Sequence, residues 1–436
     1  MKTRIVFLAL LVAGILPAGF SCAVETKPTE NLPELVNIAL ANNPEVAASG
    51  AHLRMLEYKA RQAGSLEDPM MTLKIQNGII KEPLNFKRDP MTQKVVGISQ
   101  QLPWFGKRDL RSDVARRDAE ASHWNREERI LDIIREVKET YYQIYFTDKS
   151  LEILAKNTHI LDDFITIAEN RYAVGQGVQQ DIFKAQLEKS KLLDMKITLE
   201  QQRRSLEIRM NSLLYRPADN PIGAIPDPQI TPLTRGDAEL LEQAEQNRPF
   251  LKGMQAQIGK SQAAQALARK EFYPDFNVFF EYMQREQTPG SDGADMYSLG
   301  VTFNLPVQRE RRHAMLAEAA SEQTMFTAEL NDARNAIRST IADLISQMER
   351  RRKLAELYKG GIIPQAEQAL ESAVIAYRVG KVDFLALLDS RLTLFNYERD
   401  YYDSLADYQI RLAQLEATVG ADLESGHSLA DHDHHH

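Results

Sequence analysis

After Gly106 the chain runs from Lys107 to Arg216 without a proline, and its only glycines there are Gly175 and Gly177. Proline and glycine are the residues that end helices, so the stretch predicts one very long helix, a turn at the two glycines and a returning helix. From Trp104 to Arg171 such a helix is about 100 Å long. A compact domain of 436 residues has no room for that rod, so the helix belongs to the wall of something elongated, a rod or a tube. The apolar positions agree. Ile130, Ile134, Val137, Tyr141 and Ile144 step by four and three, as do Leu405, Tyr408, Leu412, Leu415 and Val419 near the other end. That spacing favours coiled-coil packing.

The same plan occurs twice, at an offset of about 205 residues. Pro69 returns as Pro274, Gly97 to Pro103 as Gly300 to Pro306, Tyr172-Ala173-Val174-Gly175 as Tyr377-Arg378-Val379-Gly380, and Leu187 as Leu392. The expected halves are residues 24–216 and 236–420, joined by a linker at 217–235 that holds Pro217, Pro221, Pro226, Pro228 and Pro232. The second long helix is interrupted by Gly360-Gly361 and Pro364, which predicts a kink, and its span is two residues longer than the first.

Between the helices of each half lie period-two rows. Met71, Leu73 and Ile75 alternate with Thr72, Lys74 and Gln76, and Tyr297, Leu299, Val301 and Phe303 alternate with Ser298, Gly300 and Thr302. Phe276, Val278, Phe280 and Tyr282 make a third row. A fourth, with Val96, Ile98 and Leu102, is blurred by Gln100 on its apolar side. Strands are expected at about 69–80, 94–102, 275–284 and 296–305, a length that crosses a bilayer when tilted. Phe276, Phe279, Phe280, Tyr282, Tyr297 and Phe303 suit a lipid-facing band with interfacial girdles; the alternative is a small soluble sheet.

Met1-Lys2-Thr3-Arg4 followed by the apolar run Ile5 to Ile15 has the form of a secretory signal over residues 1–23. Cleavage after Ala23 satisfies the small-residue rule; the alternative is lipid attachment at Cys22, the only cysteine. Beyond the signal no apolar run is long enough for a membrane-crossing helix, so any membrane entry is by strands. The net charge of −8, with acids and bases interspersed, argues against nucleic acid as a partner. No nucleophile elbow, Walker loop or zinc-protease helix is present, so neither an enzyme nor a cofactor is expected.

The duplication, the two strands per half, the Leu-Pro before each long helix and the Tyr-x-Val-Gly turn after it resemble the TolC family of outer-membrane efflux proteins, from about Leu32 to Gly420. The run Gln101-Leu102-Pro103-Trp104-Phe105-Gly106-Lys107-Arg108 is most similar to the heavy-metal export branch. The resemblance implies a mainly α fold with a β membrane part. It also implies a homotrimer whose protomers each give four strands to one twelve-stranded barrel in outer-membrane lipid, with the helices continuing as a periplasmic tunnel. The implied function is a passive exit duct, joined through a periplasmic adaptor (a membrane fusion protein) to an inner-membrane RND-type pump and exporting heavy-metal cations. Drug efflux or type I protein secretion is the alternative cargo. A soluble periplasmic coiled-coil adaptor is the more distant rival, although it would show one helical hairpin rather than two.

By motif position the resemblance puts Tyr172 and Tyr377 beside the aperture, with Asp181, Asp389 and also Asp383 ringing it. The tips 172–181 and 377–389 are the implied closing end. Carboxylates gathered there would attract cations and repel one another; the plainer alternative is solvated charge at a helix start, which the helix dipole favours. Val382 stands where some members carry a basic residue, which argues against a closed-state salt bridge from that position. Val174, Gly175, Arg378, Val379 and Gly380 match turns that meet the adaptor. After residue 420 the periodicity is lost, and a disordered tail is expected at 421–436. There His427, His432, His434, His435 and His436, interleaved with Asp431 and Asp433, could bind a divalent metal as a natural tail, or be the vestige of a purification tag.

Overall fold

The computed structural model describes residues 29–423, so the expected signal, Cys22 and the histidine-rich end lie outside the described residues. The first half contains α1 (Leu32–Asn42), α2 (Pro44–Ala63), β1 (Met70–Gln76), β2 (Gln93–Leu102), α3 (Lys107–Ala173) and α4 (Gln179–Leu213). The second repeats that order with α5 (Asp237–Asn247), α6 (Pro249–Lys270), β3 (Phe276–Arg285), β4 (Met296–Phe303), α7 (Arg309–Leu357), a π turn (Tyr358–Ile362), α8 (Ile363–Arg378) and α9 (Phe384–Val419). Pro44 and Pro249 both start their helices, where the missing N–H would have had no partner in any case.

The four strands form one antiparallel sheet in the order β1-β2-β3-β4, with β2 of the first half paired to β3 of the second. The register sorts the side chains onto two faces. Met71, Ile98, Phe280 and Leu299 form one row across the sheet, and Leu73, Val96, Tyr282 and Tyr297 form the next on the same face. These side chains are exposed, Leu299 to 71% and Tyr297 to 75%. The opposite face carries Thr72, Gly97, Glu281 and Ser298 in one row, with Lys74 bonded to Glu281 at 2.8 Å. The sheet therefore has one exposed apolar face and one mainly polar face, the alternation that a membrane barrel wall requires.

Two details differ from the sequence expectation, and a third, the place of Gln100, agrees with it. β1 ends at Gln76 because Asn77 turns left-handed, at φ 58°, and bonds across the loop to Met91 and Thr92. Phe279 faces the polar side, opposite Gly300, where a Cβ would stand 2.5 Å from its ring and only glycine leaves the space. Gln100 does sit in the apolar row, and its amide is satisfied by the carbonyl of Glu67 at 2.8 Å.

Strands meet helices at a joint built around Lys107, which is 1% exposed. Its ammonium lies 2.9 Å from Asp275 Oδ1 and 3.2 Å from Glu271 Oε2, and donates to the Tyr273 carbonyl at 3.1 Å. Asp275 also accepts from the Trp104 N–H at 2.8 Å, while the Trp104 ring stacks on Tyr273 and Phe276. Arg108 donates twice to the Gly64 carbonyl. The run Gly106-Lys107-Arg108 thus fixes where the sheet ends and the rod begins.

Below the joint α3 is the spine, packing against α2, α4, α6 and α9. Both heptad-like rows are buried, Ile130 to Ile144 and Leu405 to Val419. The linker is no loose tether. Ile222 and Ile225 enter the core, and Tyr408 and Gln409 hold the carbonyls of Thr231 and Gln229 at 2.6 and 2.8 Å. At Gly360-Gly361 the helix passes through a π turn instead of stopping, and Ile363 N–H reaches the Tyr358 carbonyl five residues back. Wider bonding there spares the donor that Pro364 lacks and takes up extra length. Pro103 lies 72 residues before Gly175, but Pro306 lies 74 before Gly380. Among the described residues no helix is apolar enough to cross a membrane.

Replacing Lys107 with Met leaves two partly buried carboxylates facing an apolar chain end. We expect Lys107→Met to lose about 3–5 kcal/mol in denaturant unfolding, the cost typical of breaking a buried ion pair from one side. An unfolding midpoint equal to the parent's would show that the joint does not depend on this cation.

Candidate functional site at the helix tips

Both hairpins end in the same local structure. Gly175 and Gly380 have φ of 73° and 72°, a conformation that side chains with a Cβ resist. In the first tip Gly175 N–H bonds the Tyr172 carbonyl at 3.0 Å and Gln176 N–H bonds Arg171 at 2.8 Å; in the second Gly380 bonds Tyr377 at 3.0 Å and Lys381 bonds Ala376 at 2.9 Å. These paired bonds satisfy the last helical carbonyls, and the left-handed glycine is what allows them. Val174, Gly175, Arg378, Val379 and Gly380 are all exposed at the ends of the hairpins.

The two tyrosines of the repeated motif have different surroundings. Tyr172 is 47% exposed, whereas Tyr377 is 3% exposed and packs edge-on against Phe384 at 5.6 Å. Burial raises the Tyr377 phenol above its ordinary value, the Asp181 carboxylate adds to the rise, and Arg171 opposes it. The tips are held together from inside by a cluster that includes Leu161, Phe164, Tyr377, Phe384 and Leu387.

Asp181 stands in the first turn of α4 and is half-buried. Burial raises its carboxyl above the ordinary value, as does Asp383, while Lys184 and Arg171 act in the other direction. Asp383 caps α9 by accepting from Ala386 N–H at 2.8 Å. Asp383 is thus near enough to Asp181 for its charge to bear on the Asp181 carboxyl. Asp389 lies farther along α9 and is exposed. In the repeat register Asp389 answers to Lys184, and Asp181 to Ala386, so the halves have diverged in charge at the tip.

The residue that sequence reasoning overlooked is Arg171. Its guanidinium donates to the Tyr377 carbonyl of the second tip and, at 3.0 Å, to the Gln176 carbonyl of the first, and it lies 4.7 Å from the centre of the Tyr377 ring. The available signal was an asymmetry: Arg171 precedes the first Tyr-x-Val-Gly, whereas Ala376 precedes the second. Among the described residues no His, Cys, Asp and Glu cluster could hold a metal ion, and the five tail histidines lie outside them.

Comparison with known proteins identifies the family. The model of the family described as outer membrane efflux protein matches twice, at residues 35–214 and 240–421. The cobalt-zinc-cadmium resistance protein CzcC of Cupriavidus metallidurans is 23% identical over 355 residues, which are 80% of this chain and 82% of that protein. The pyoverdine export outer membrane protein OpmQ of Pseudomonas putida is 23% identical over 414 residues, 89% of this chain and 84% of its own. Among solved structures CusC, described in terms of transmembrane channel formation, superposes with a TM-score of 0.76 at 15% identity, over 93% of this chain and 97% of that one. The matched family is one of efflux channels and not of enzymes. With a sheet that exposes an apolar face, a duplicated coiled-coil rod and two matches that span most of its length, the chain belongs to the outer membrane efflux protein family.

Proposed function

We propose that three copies of this chain form a sealed exit duct in the outer membrane, passing heavy-metal cations delivered by an inner-membrane RND-type pump through a periplasmic adaptor. The observation that carries the assembly is the sheet. Its outer strands β1 and β4 each present an unpaired edge, and its apolar face is exposed. Hydrocarbon cannot satisfy those edge groups, so strands of further copies must. An apolar stripe on α4, with Phe183, Leu187, Leu193 and Ile197 each more than half exposed, offers a matching surface lower down for the next copy.

Metal cargo is supported by the relationship to CzcC and by the carboxylates at the tips. Lys107 and Arg108 are occupied in the joint and so are not offered to the cargo. OpmQ, similar over more of the chain, favours a second reading in which the cargo is a small organic molecule. Val174, Gly175, Arg378, Val379 and Gly380 are the surface offered to the adaptor. The tail histidines would collect metal at the chain end.

Purified protein in planar bilayers should conduct and prefer cations, and Asp181→Ala combined with Asp389→Ala should lose that preference. Unchanged selectivity would remove these carboxylates from the aperture. For the cargo, a deletion strain should grow poorly on zinc, copper, cobalt or cadmium salts; new sensitivity to dyes or detergents, with metal tolerance intact, would move the assignment to organic export.

A carboxyl raised above 3.8 in the folded tip contributes stability below that pH and loses it as the pH rises through the raised value. Asp181→Asn should therefore melt like the parent in strong acid and above it near neutral pH. A melting difference that does not vary with pH would show that Asp181 ionisation does not load the tip.

A further inference from the structure

The two loops at the helix-free end of the sheet differ in charge and in what they expose. Residues 77–92 carry Lys81, Lys87 and Arg88 against Glu82 and Asp89, whereas residues 286–295 carry Glu286, Asp292 and Asp295 and no base. The first loop also holds Ile80 and Leu84 out to solvent, at 95% and 78% exposure. Its backbone there is built from consecutive turns, with Glu82 N–H on the Ile79 carbonyl at 3.1 Å and Asn85 N–H on the Glu82 carbonyl at 3.0 Å. The second loop closes on itself, Thr288 and Ser291 exchanging backbone bonds at 3.1 and 3.0 Å, and Asp295 accepts from the Arg285 N–H and the Tyr282 hydroxyl.

The first loop is tied to the apolar face of the sheet. Lys94 stands opposite Ile75 and Gln284, in the next row beyond Leu73, Val96, Tyr282 and Tyr297 on that face. Its ammonium lies 4.7 Å from the centre of the Phe86 ring and 2.9 Å from Glu286 Oε1. Lys94, and Lys87 after it, hold the Glu286 carboxyl below its ordinary value, so Lys87 comes close to the same corner. Arg88 is bonded to Glu82 at 2.5 Å. Cations and bare apolar side chains are thus gathered where the apolar rows end. In water Ile80 and Leu84 gain nothing from such exposure; at a bilayer surface they can be buried while Lys and Arg reach the headgroups.

We propose that loop 77–92 is a docking site for a phosphorylated glycolipid of the outer leaflet, with Lys81, Lys87 and Arg88 meeting its phosphates and Ile80 and Leu84 entering among its acyl chains. The inference rests on the duct assignment above, which puts the helix-free end of the sheet at the leaflet away from the periplasm. The loop 286–295 is no second site, because its carboxylates repel phosphate. Around a closed barrel, glycolipid-binding loops would therefore alternate with loops that bind none.

The test is retention of a short-core lipopolysaccharide by the full protein in neutral detergent, followed by native mass spectrometry, with conductance in planar bilayers measured alongside. The parent should keep the glycolipid bound, and Lys81→Gln, Lys87→Gln and Arg88→Gln combined should hold it at least about tenfold more weakly, as expected for cations taken from an anionic surface. Equal retention by the parent and the triple variant would overturn the site. Equal retention by the parent of the same glycolipid stripped of its phosphates would overturn it too, and so would equal retention of phosphatidylglycerol. Should the triple variant fail to assemble, the phosphorylated and stripped glycolipids compared on the parent decide. A parent that carries no current removes the duct assignment and the site together, whereas a conducting parent that keeps no glycolipid removes the site alone.

Discussion

Backbone hydrogen bonding in hydrocarbon is the constraint on which the rest of the molecule depends. The sheet of four strands is too narrow to close on itself, yet one of its faces is apolar and open. The helices alone are compatible with a soluble rod; the open apolar face is not, and where it meets hydrocarbon the unpaired edges of β1 and β4 need strands from elsewhere. Once several sheets are pooled, the helices that follow each strand pair must stand side by side around a common axis. The length of α3 and of the α7–α8 run then sets how far that wall extends from the membrane.

The joint at Lys107 transmits the arrangement of the strands to the helices. It gathers Trp104 and Lys107 from the start of the first rod with Glu271, Tyr273 and Asp275 from the entry to β3, so that one half's helix is fixed by the other half's strand. The two halves are likewise interleaved in the sheet, where β2 pairs with β3, and at the tips, where Arg171 reaches Tyr377. Duplication supplied two similar pieces, and divergence at a few positions made them complementary.

Much of this was legible from the residues. Alternation in β1, β3 and β4 and the four-three spacing along α3 and α9 report local periodicities, and the glycines of Tyr-x-Val-Gly report a backbone conformation that other residues avoid. What was hidden depended on contacts between distant segments. Arg171 is 206 residues from Tyr377, and nothing local distinguishes it from a solvated arginine. Lys107 and Arg108 belong to the run that resembles the heavy-metal export branch, but their structural role rests on Gly64, Glu271 and Tyr273, which lie far away in sequence. Phe279 is instructive in another way, because its own alternation with Phe280 placed it on the polar face while aromatic composition alone pointed to lipid. The shortening of β1 could not be read from its apolar pattern, since it depends on Asn77 finding partners across a loop.

The π turn at Tyr358–Ile362 carries a geometric consequence for the lower part of the molecule. Each residue inserted into a regular α-helix rotates everything beyond it by about 100° and advances it by about 1.5 Å. Without compensation, the surplus in the second rod would swing Tyr377 off the face that meets Phe384 and Arg171. A turn closed over five residues instead of four admits surplus chain with far less rotation. The Gly360-Gly361 segment is thus a partial phase corrector: one π turn absorbs about one of the two surplus residues and reduces the rotation carried down to Tyr377.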